Sequence, residues 1–559
     1  MKQIACLLTV LALILNGCET ADPTDNQLNT KDKTTPFFWE NANIYFLLTD
    51  RFHNGDPSND VNFDRTQPTS TSRSMMGGDI KGIIQKMEEG YFKKLGVTAI
   101  WFTPVLEQNK GSVDEGSGAT YAYHGYWAQD WTALDPNFGT EKDLADLVEL
   151  AHQNGIRVLL DVVINHTGPV TEKDPVWPQE WVRTSPKCEY QDYESTVNCT
   201  LVENLPDVKT ESDTSVELPN SLMEKWKNEG RLENELAELD AFFQRTGYPR
   251  APRFYFMKWL TDYVRKYGID GYRVDTAKHT EETVWKELRK EADIAFADWK
   301  KNNPDKILDE NEFYMVGEVY NYNIISDRDF SFGDKNVDYF ENGFTSLINF
   351  GFKHDCKSQY DSIFNKYSFK LNGPLKGNSV VNYISSHDDS EPFDKNRSQP
   401  FISGTKLLLC PGASQIYYGD ETARSLEIEG ETGDANLRSF MNWEEINNNT
   451  VKNGANLNDI LSHWQKLGQF RKSHPAVGAG LHENISNNPY YFKRTFNSGE
   501  FEDAVVVGLD LEAGEKEISV ENIFNEGDEI MDYYSGKKIK VNDGKLKINT
   551  DHSIVLFGK

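Results

Sequence analysis

Cysteine is scarce in this chain, six in 559 residues, and no pair has the Cys-x-x-Cys or Cys/His spacing of a zinc site. A zinc-knit module and a thioredoxin-like dithiol centre are thereby excluded. Positive charge is scarce too: 59 Lys and Arg stand against 88 Asp and Glu, a formal net charge of -29. A nucleic-acid backbone or an anionic membrane surface would repel such a protein. The apolar run Ile4–Leu15 falls short of the about 20 residues that a helix needs to span a bilayer core. No internal repeat or low-complexity segment stands out.

What is present begins with Lys2 and that apolar run, the layout of a secretory signal. Leu15-Asn16-Gly17-Cys18 resembles the bacterial lipobox, in which the cysteine becomes lipid-modified and N-terminal after cleavage. The expectation is a signal peptide over 1–17, a polar tether over 18–35, and an exported lipoprotein held at the cell envelope, periplasmic or on the surface. Contact with a membrane would come only through the lipid on Cys18; ordinary cleavage and secretion is the alternative. Beyond Cys6 and Cys18, an oxidising compartment favours pairing of Cys188 with Cys199 across a short polar loop. Cys356 and Cys410 are left open as a second bridge or two buried thiols.

From about residue 43, β-branched and aromatic runs alternate with amphipathic segments, the pattern of β-α units closing a parallel barrel. Strands are expected at 44–48, 98–103, 157–164, 271–275, 314–318, 380–385 and 415–418, with a further one near 344–350. The spacing between Ile164 and Gly271 is about twice that of one β-α unit, and the stretch is polar and carries Cys188 and Cys199. It reads as an insertion after the third strand. After about residue 480 short alternating strands with Gly-containing turns point to an antiparallel domain. The fold class is therefore α/β: a (β/α)8 TIM barrel over 36–166 and 251–480, an inserted domain over 167–250, and a C-terminal β-sandwich over 481–559.

Active sites of such barrels lie at the strand C-termini. Three expected strand ends there carry carboxylates, in Arg273-Val274-Asp275, Gly317-Glu318 and His387-Asp388. Arg273 and Asp275, two residues apart, share a strand face. Retaining glycosidases need one carboxylate as nucleophile and a second as acid and base, about 5–5.5 Å apart, and this cluster would meet that need.

With these residues in view, the chain resembles the α-amylase family of glycoside hydrolases from about Ile44 to Trp443. Asp161–His166, Gly271–His279, Gly317-Glu318 and Ser386-His387-Asp388 are similar, in order, to its four conserved blocks, and Leu205-Pro206-Asp207 to the block in its inserted domain. The resemblance implies Asp275 as nucleophile, Glu318 as general acid and base, and Asp388 as the group that favours the distorted transition state. It implies that Arg273 keeps Asp275 ionised, that His166 and His387 donate to the sugar before the cleavage point, that Tyr126 stacks on it, and that Lys278 and His279 contact the sugar beyond. One position departs from the family pattern: Ser386 stands where Asn is usual.

The resemblance also implies calcium, a hard ion that takes oxygen ligands. One set would be Asn165, Asp207 and the His279 carbonyl, joining barrel and insert. A second, Asn54, Asp56, Asn59, Asp60, Gly77 and Asp79, looks like a site of the cyclodextrin glucanotransferases, whose alternative reading is an Asx-rich turn without metal. Those transferases place an aromatic residue where this chain has Glu203, and they carry further starch-binding modules. The expected activity is endo-hydrolysis of α-1,4-glucans by a monomer, with transglycosylation the alternative and a catalytically silent glucan-binding barrel a third.

Overall fold

The computed structural model describes residues 35–559 except 117 and 500; the expected signal, lipobox and nearly all of the tether lie outside the described residues. Eight parallel strands close a barrel in sequential order: β1 (Asn43–Leu47), β2 (Ala99–Phe102), β3 (Arg157–Val162), β4 (Gly271–Val274), β5 (Tyr314–Gly317), β6 (Ser346–Asn349), β7 (Ser379–Tyr383) and β8 (Ala413–Tyr417). Each is buried along its whole length, as strands must be when helices cover one side and packed side chains fill the other. All eight coincide with sequence expectations to within two residues at either end.

Between β3 and the helix Pro252–Tyr267 runs the insertion, which holds the antiparallel pair Val182–Arg183 with Asp207–Val208 and the helices Asn220–Asn228 and Leu232–Thr246. Aromatic packing fastens it to the barrel. The Trp181 ring lies 5.1 Å from Trp177 and 5.0 Å from Tyr255, and Trp177 packs edge-on against Trp131 at 5.7 Å. Cys188 and Cys199 are bridged, whereas Cys356 and Cys410 are free and buried.

After β8 and the helix Leu457–Ser473, a six-stranded sheet faces a two-stranded one made of Gly514–Ser519 and Lys545–Thr550. Period-two alternation along Glu502–Leu509 explains how one strand serves two cores. Val505, Val507 and Leu509 face the barrel, while Val506 turns into the sandwich with Ile518, Leu546 and Phe557. Among the described residues no helix is long and apolar enough to cross a membrane.

Candidate active site

The barrel registers Arg273 on β4 directly beside Asp161 on β3. Both side chains point to the barrel interior, and the Arg273 guanidinium becomes a shared counter-ion. Its Nη1 donates to Asp161 Oδ1 and to Asp275 Oδ1, each at 2.8 Å, and its Nη2 donates to Glu318 Oε2 at 2.9 Å. The two expected reacting carboxylates therefore sit on adjacent nitrogens of one rigid fork. Strand pairing continues past the strand ends to aim them: Asp275 N donates to Val162 O and Glu318 N to Val274 O.

Thr276 adds a feature that sequence reasoning missed. Its φ of 47° is strained for a β-branched residue, and in that conformation its N–H donates to Glu318 Oε2 at 2.9 Å. The strain is localised where it positions a reacting group.

Glu318 and Asp388 are driven apart in acidity. Burial pushes Glu318 well above the usual carboxylate range; Arg273 opposes this, and the charges of Asp275 and Asp388 add to it. Burial also pushes Asp388 up, but His387, the Ser386 hydroxyl, Arg273 and Arg438 outweigh it and hold the group below its ordinary value. Protonation is thus favoured at one carboxyl and ionisation at the other, the division of labour that acid-assisted bond cleavage requires. Ser386 Oγ donates to Asp388 Oδ1 at 2.8 Å, so the serine is a direct partner of that carboxylate.

On one side of the cluster the Tyr126 ring stacks with His387 at 5.3 Å, while its hydroxyl donates to Asp161 Oδ2 at 2.8 Å. His166 Nε2 lies 3.1 Å from the Tyr126 carbonyl. Burial lowers His166, and it lowers His387 to about 4, so both rings are neutral donors at neutral pH. Arg438, also missed, is part-buried and donates from Nε to the His387 carbonyl at 2.8 Å. On the other side Lys278 is lowered by burial, with Glu318 opposing; its Nζ lies 5.4 Å from the Tyr320 ring centroid. Burial takes His279 to about 4, and its Nδ1 is 3.1 Å from Thr196 O.

The two candidate calcium sets behave differently. Among the described residues no three His, Cys, Asp or Glu side chains gather as a metal-holding group, so each set depends on amide and carbonyl oxygens. In the N-terminal loop, Asn54 Oδ1 and Asn59 Oδ1 are buried without a protein partner. Asn54 Nδ2 donates to Asp60 Oδ1 at 2.9 Å. Gly77, at φ 87°, lies so close that a Cβ there would be 2.4 Å from Asn54 Nδ2. Asp79 ties the loop by accepting from Gly55 N at 3.1 Å and Asp56 N at 2.8 Å. Two orphaned amide oxygens amid hard donors fit calcium, although the Asp56 side chain turns out to Lys81 at 2.6 Å.

The junction set has a side-chain cation beside it. Asp207 Oδ2 lies 2.9 Å from Arg183 Nε, and the same guanidinium reaches Glu211 at 2.5 Å. A cation therefore stands beside the one carboxylate of the Asn165–Asp207–His279 set, yet Asp207 Oδ2 and Arg183 Nε are both buried without a hydrogen-bond partner, so that oxygen stays open to an ion. Burial, with Glu211 and Glu281 adding, pushes Asp207 up to about 9 against the pull of Arg183.

Residues 46–480 match the family model described as the α-amylase catalytic domain. The periplasmic alpha-amylase of Escherichia coli (strain K12) is 36% identical over 544 residues, spanning 84% of this chain and 73% of that protein. The cyclomaltodextrin glucanotransferase of Thermoanaerobacterium thermosulfurigenes is 26% identical over 475 residues, and there the match covers 81% of this chain but 58% of the relative. Among solved structures, CldA, described as the first cyclomaltodextrin glucanotransferase with a three-domain ABC distribution, superposes with a TM-score of 0.60 at 21% identity, over 93% of this chain and 99% of that one. At such identity the likeness is one of fold.

Proposed function

The chain belongs to the α-amylase family of glycoside hydrolases, and from that premise we propose that it hydrolyses internal α-1,4-glucosidic bonds of starch-like glucans with retention. The observation that carries this reading is the single guanidinium holding Asp275 and Glu318 together. Asp275 attacks the anomeric carbon while Glu318 delivers its proton to the leaving glycosidic oxygen. The covalent glycosyl ester then yields to a water that Glu318, now ionised, activates as base. Asp388, kept ionised, binds sugar hydroxyls and favours the flattened, oxocarbenium-like ring. Tyr126 supplies an aromatic face beside that ring and neutral His387 a donor, while neutral His166 gives its one N–H to the Tyr126 carbonyl.

Calcium is proposed at the N-terminal loop, held by Asn54, Asn59, Asp60, Asp79 and the Gly77 carbonyl. There it would supply the positive charge that closes the loop. The periplasmic location named for the Escherichia coli relative supports export of this chain. We place it at the envelope as a monomer, anchored through Cys18.

Transglycosylation is the second reading, favoured by similarity to the glucanotransferases. The number of domains does not decide, since a three-domain transferase has this layout. Glu203 does weigh: it is exposed and offers no aromatic face to guide a glucan chain round. Product analysis on a long linear maltooligosaccharide, with the anomer of the first products read by NMR, separates the readings. Short linear α-anomers support endo-hydrolysis; cyclic main products overturn it. Asp275→Asn should lower kcat by about 10⁴-fold or more with the fold retained, and substantial residual turnover would remove the nucleophile assignment.

A further inference from the structure

We propose that Lys353 and Asp389 are a positioning pair for the hydrolytic centre: Lys353 anchors the loop that carries Asp388 and cancels the charge of the carboxylate next to it. The inference rests on the hydrolytic reading above and adds two residues that act through Asp388 and Glu318.

Past the end of β7 the chain reads His387-Asp388-Asp389, so the carboxylate that favours the oxocarbenium-like ring is followed at once by a second. Adjacent anions repel, and each costs free energy when drawn out of water without a partner. Asp389 is drawn in all the same, with its side chain only 9% exposed. The short helix Phe352–Asp355, which follows β6, supplies the counter-ion. Lys353 is buried and forms an ion pair with Asp389 Oδ2. That oxygen also accepts from the Tyr383 hydroxyl on β7 at 2.7 Å, while Oδ1 accepts from Glu391 N at 3.0 Å. Asp389 is therefore tied to the exit of β6, to β7 and to its own loop, one residue from Asp388. A buried pair of this kind contributes little net stability, so its effect is to be sought in geometry and charge.

The pair borders the reacting groups. A cavity of about 420 Å³ is lined by Lys353, Asp388 and Asp389 together with Tyr320 and Phe350. Tyr320 and Tyr383 each feel the charges of Asp388, Asp389 and Glu318, so the three carboxylates share one electrostatic neighbourhood. The other charges there have their own places. Arg273, Asp275 and Lys278 act on or feel Glu318. Around Asp388 stand His387, Arg273 and Arg438, with Asp434 beyond. Lys353 is the cation that meets Asp389. Remove the ammonium, and the Asp389 charge adds to that of Asp388 and strengthens the hold of Glu318 on its proton. Remove the carboxylate instead, and the bare ammonium weakens that hold.

The test is the pH profile of kcat/KM on maltoheptaose for the full-length enzyme and four variants. Lys353→Met should move the alkaline limb, which reports the Glu318 proton, up by about half a pH unit, and Asp389→Asn should move it down by about as much. The double variant Lys353→Met/Asp389→Asn removes both charges and should return the limb to its wild-type place, where Lys353→Arg, which keeps the charge, should also leave it. In both single variants and the double, kcat should fall on the order of 10-fold, more than KM changes, because the lost tie misplaces a group used in the transition state. A pair that served the fold alone would lower the melting temperature and leave every limb in place. Should Lys353→Met fail to fold, the near-isosteric Asp389→Asn still carries the test. Limbs that stay put in the single variants, or that move in the same direction, would overturn the inference. A wild-type protein that leaves maltoheptaose uncleaved would instead overturn the hydrolytic reading, and this one with it.

Discussion

Replacing Arg273 by Met keeps most of the side-chain volume and removes the cation that Asp161, Asp275 and Glu318 share. Breaking a buried ion pair by deleting one partner costs about 3–5 kcal/mol, because the other charge is left uncompensated. For a chain of this length, unfolding entropy of about 2.1 cal/mol/K per residue makes 1 kcal/mol worth roughly 1 °C, so the melting temperature should fall by about 3–5 °C. The deficit should depend on pH in a set direction. Burial already raises Asp161 to about 6 and lifts Glu318 well above its ordinary value, and on each Arg273 is the strongest lowering influence. Without it both rise, whereas in the unfolded chain they return to the ordinary carboxylate range near 4. A group with its folded pKa above its unfolded pKa adds stability below the unfolded value and loses it as pH rises through the folded one. The variant should therefore be penalised more at pH 8 than at pH 5, as read by calorimetry across that range. Because the lost donor also holds both reacting carboxylates, kcat/KM should drop on the order of 10²- to 10³-fold. A melting deficit that shrinks with rising pH, or activity within a few-fold of wild type, would refute the shared-counter-ion argument.

The alkaline limb of kcat/KM should lie well above the ordinary carboxylate range near 4, since Glu318 must be protonated and burial raises it; a limb near pH 5 in steady-state assays would contradict its role as acid. If calcium occupies the N-terminal loop at 100 times its dissociation constant, chelation should cost about 2.7 kcal/mol, or roughly 2–3 °C in melting temperature, and Asn59→Ala should abolish the response. A melting temperature indifferent to excess chelator would remove the site.

Barrel strands were legible because each is a short apolar run that stops at polar residues carrying chemistry. The sixth, Ser346–Asn349, was the least distinct, since it ends without a charged residue. The roles of Asp275, Glu318 and Asp388 could be expected because the resemblance rests on blocks that contain them, but their electrostatics could not. That Asp161 is a third carboxylate on Arg273 depends on the register of β3 against β4, and register is set by closure of the whole barrel. The strain at Thr276 and the cation at the His387 carbonyl are likewise products of tertiary packing, with no local signal to announce them.

The junction between barrel and insert shows what a ligand set read from the chain alone leaves out. Asn165, Asp207 and His279 sit in blocks similar to those of the family, but an ion's place also depends on what the neighbouring strand contributes. Here the insert's own antiparallel pair registers Arg183 directly opposite Asp207, and a guanidinium on that position supplies positive charge without dissociating. Charge at a junction can be met by a bound ion or by a side chain, and a carboxylate already pushed up to about 9 by burial gains from either. The N-terminal loop has no such side chain turned inward: Lys81 draws Asp56 outward and leaves the Asn54 and Asn59 oxygens facing in without a protein donor. The two sets differ in whether the chain places a side-chain cation beside the ligand oxygens, while in both a ligand oxygen is buried without a hydrogen-bond partner.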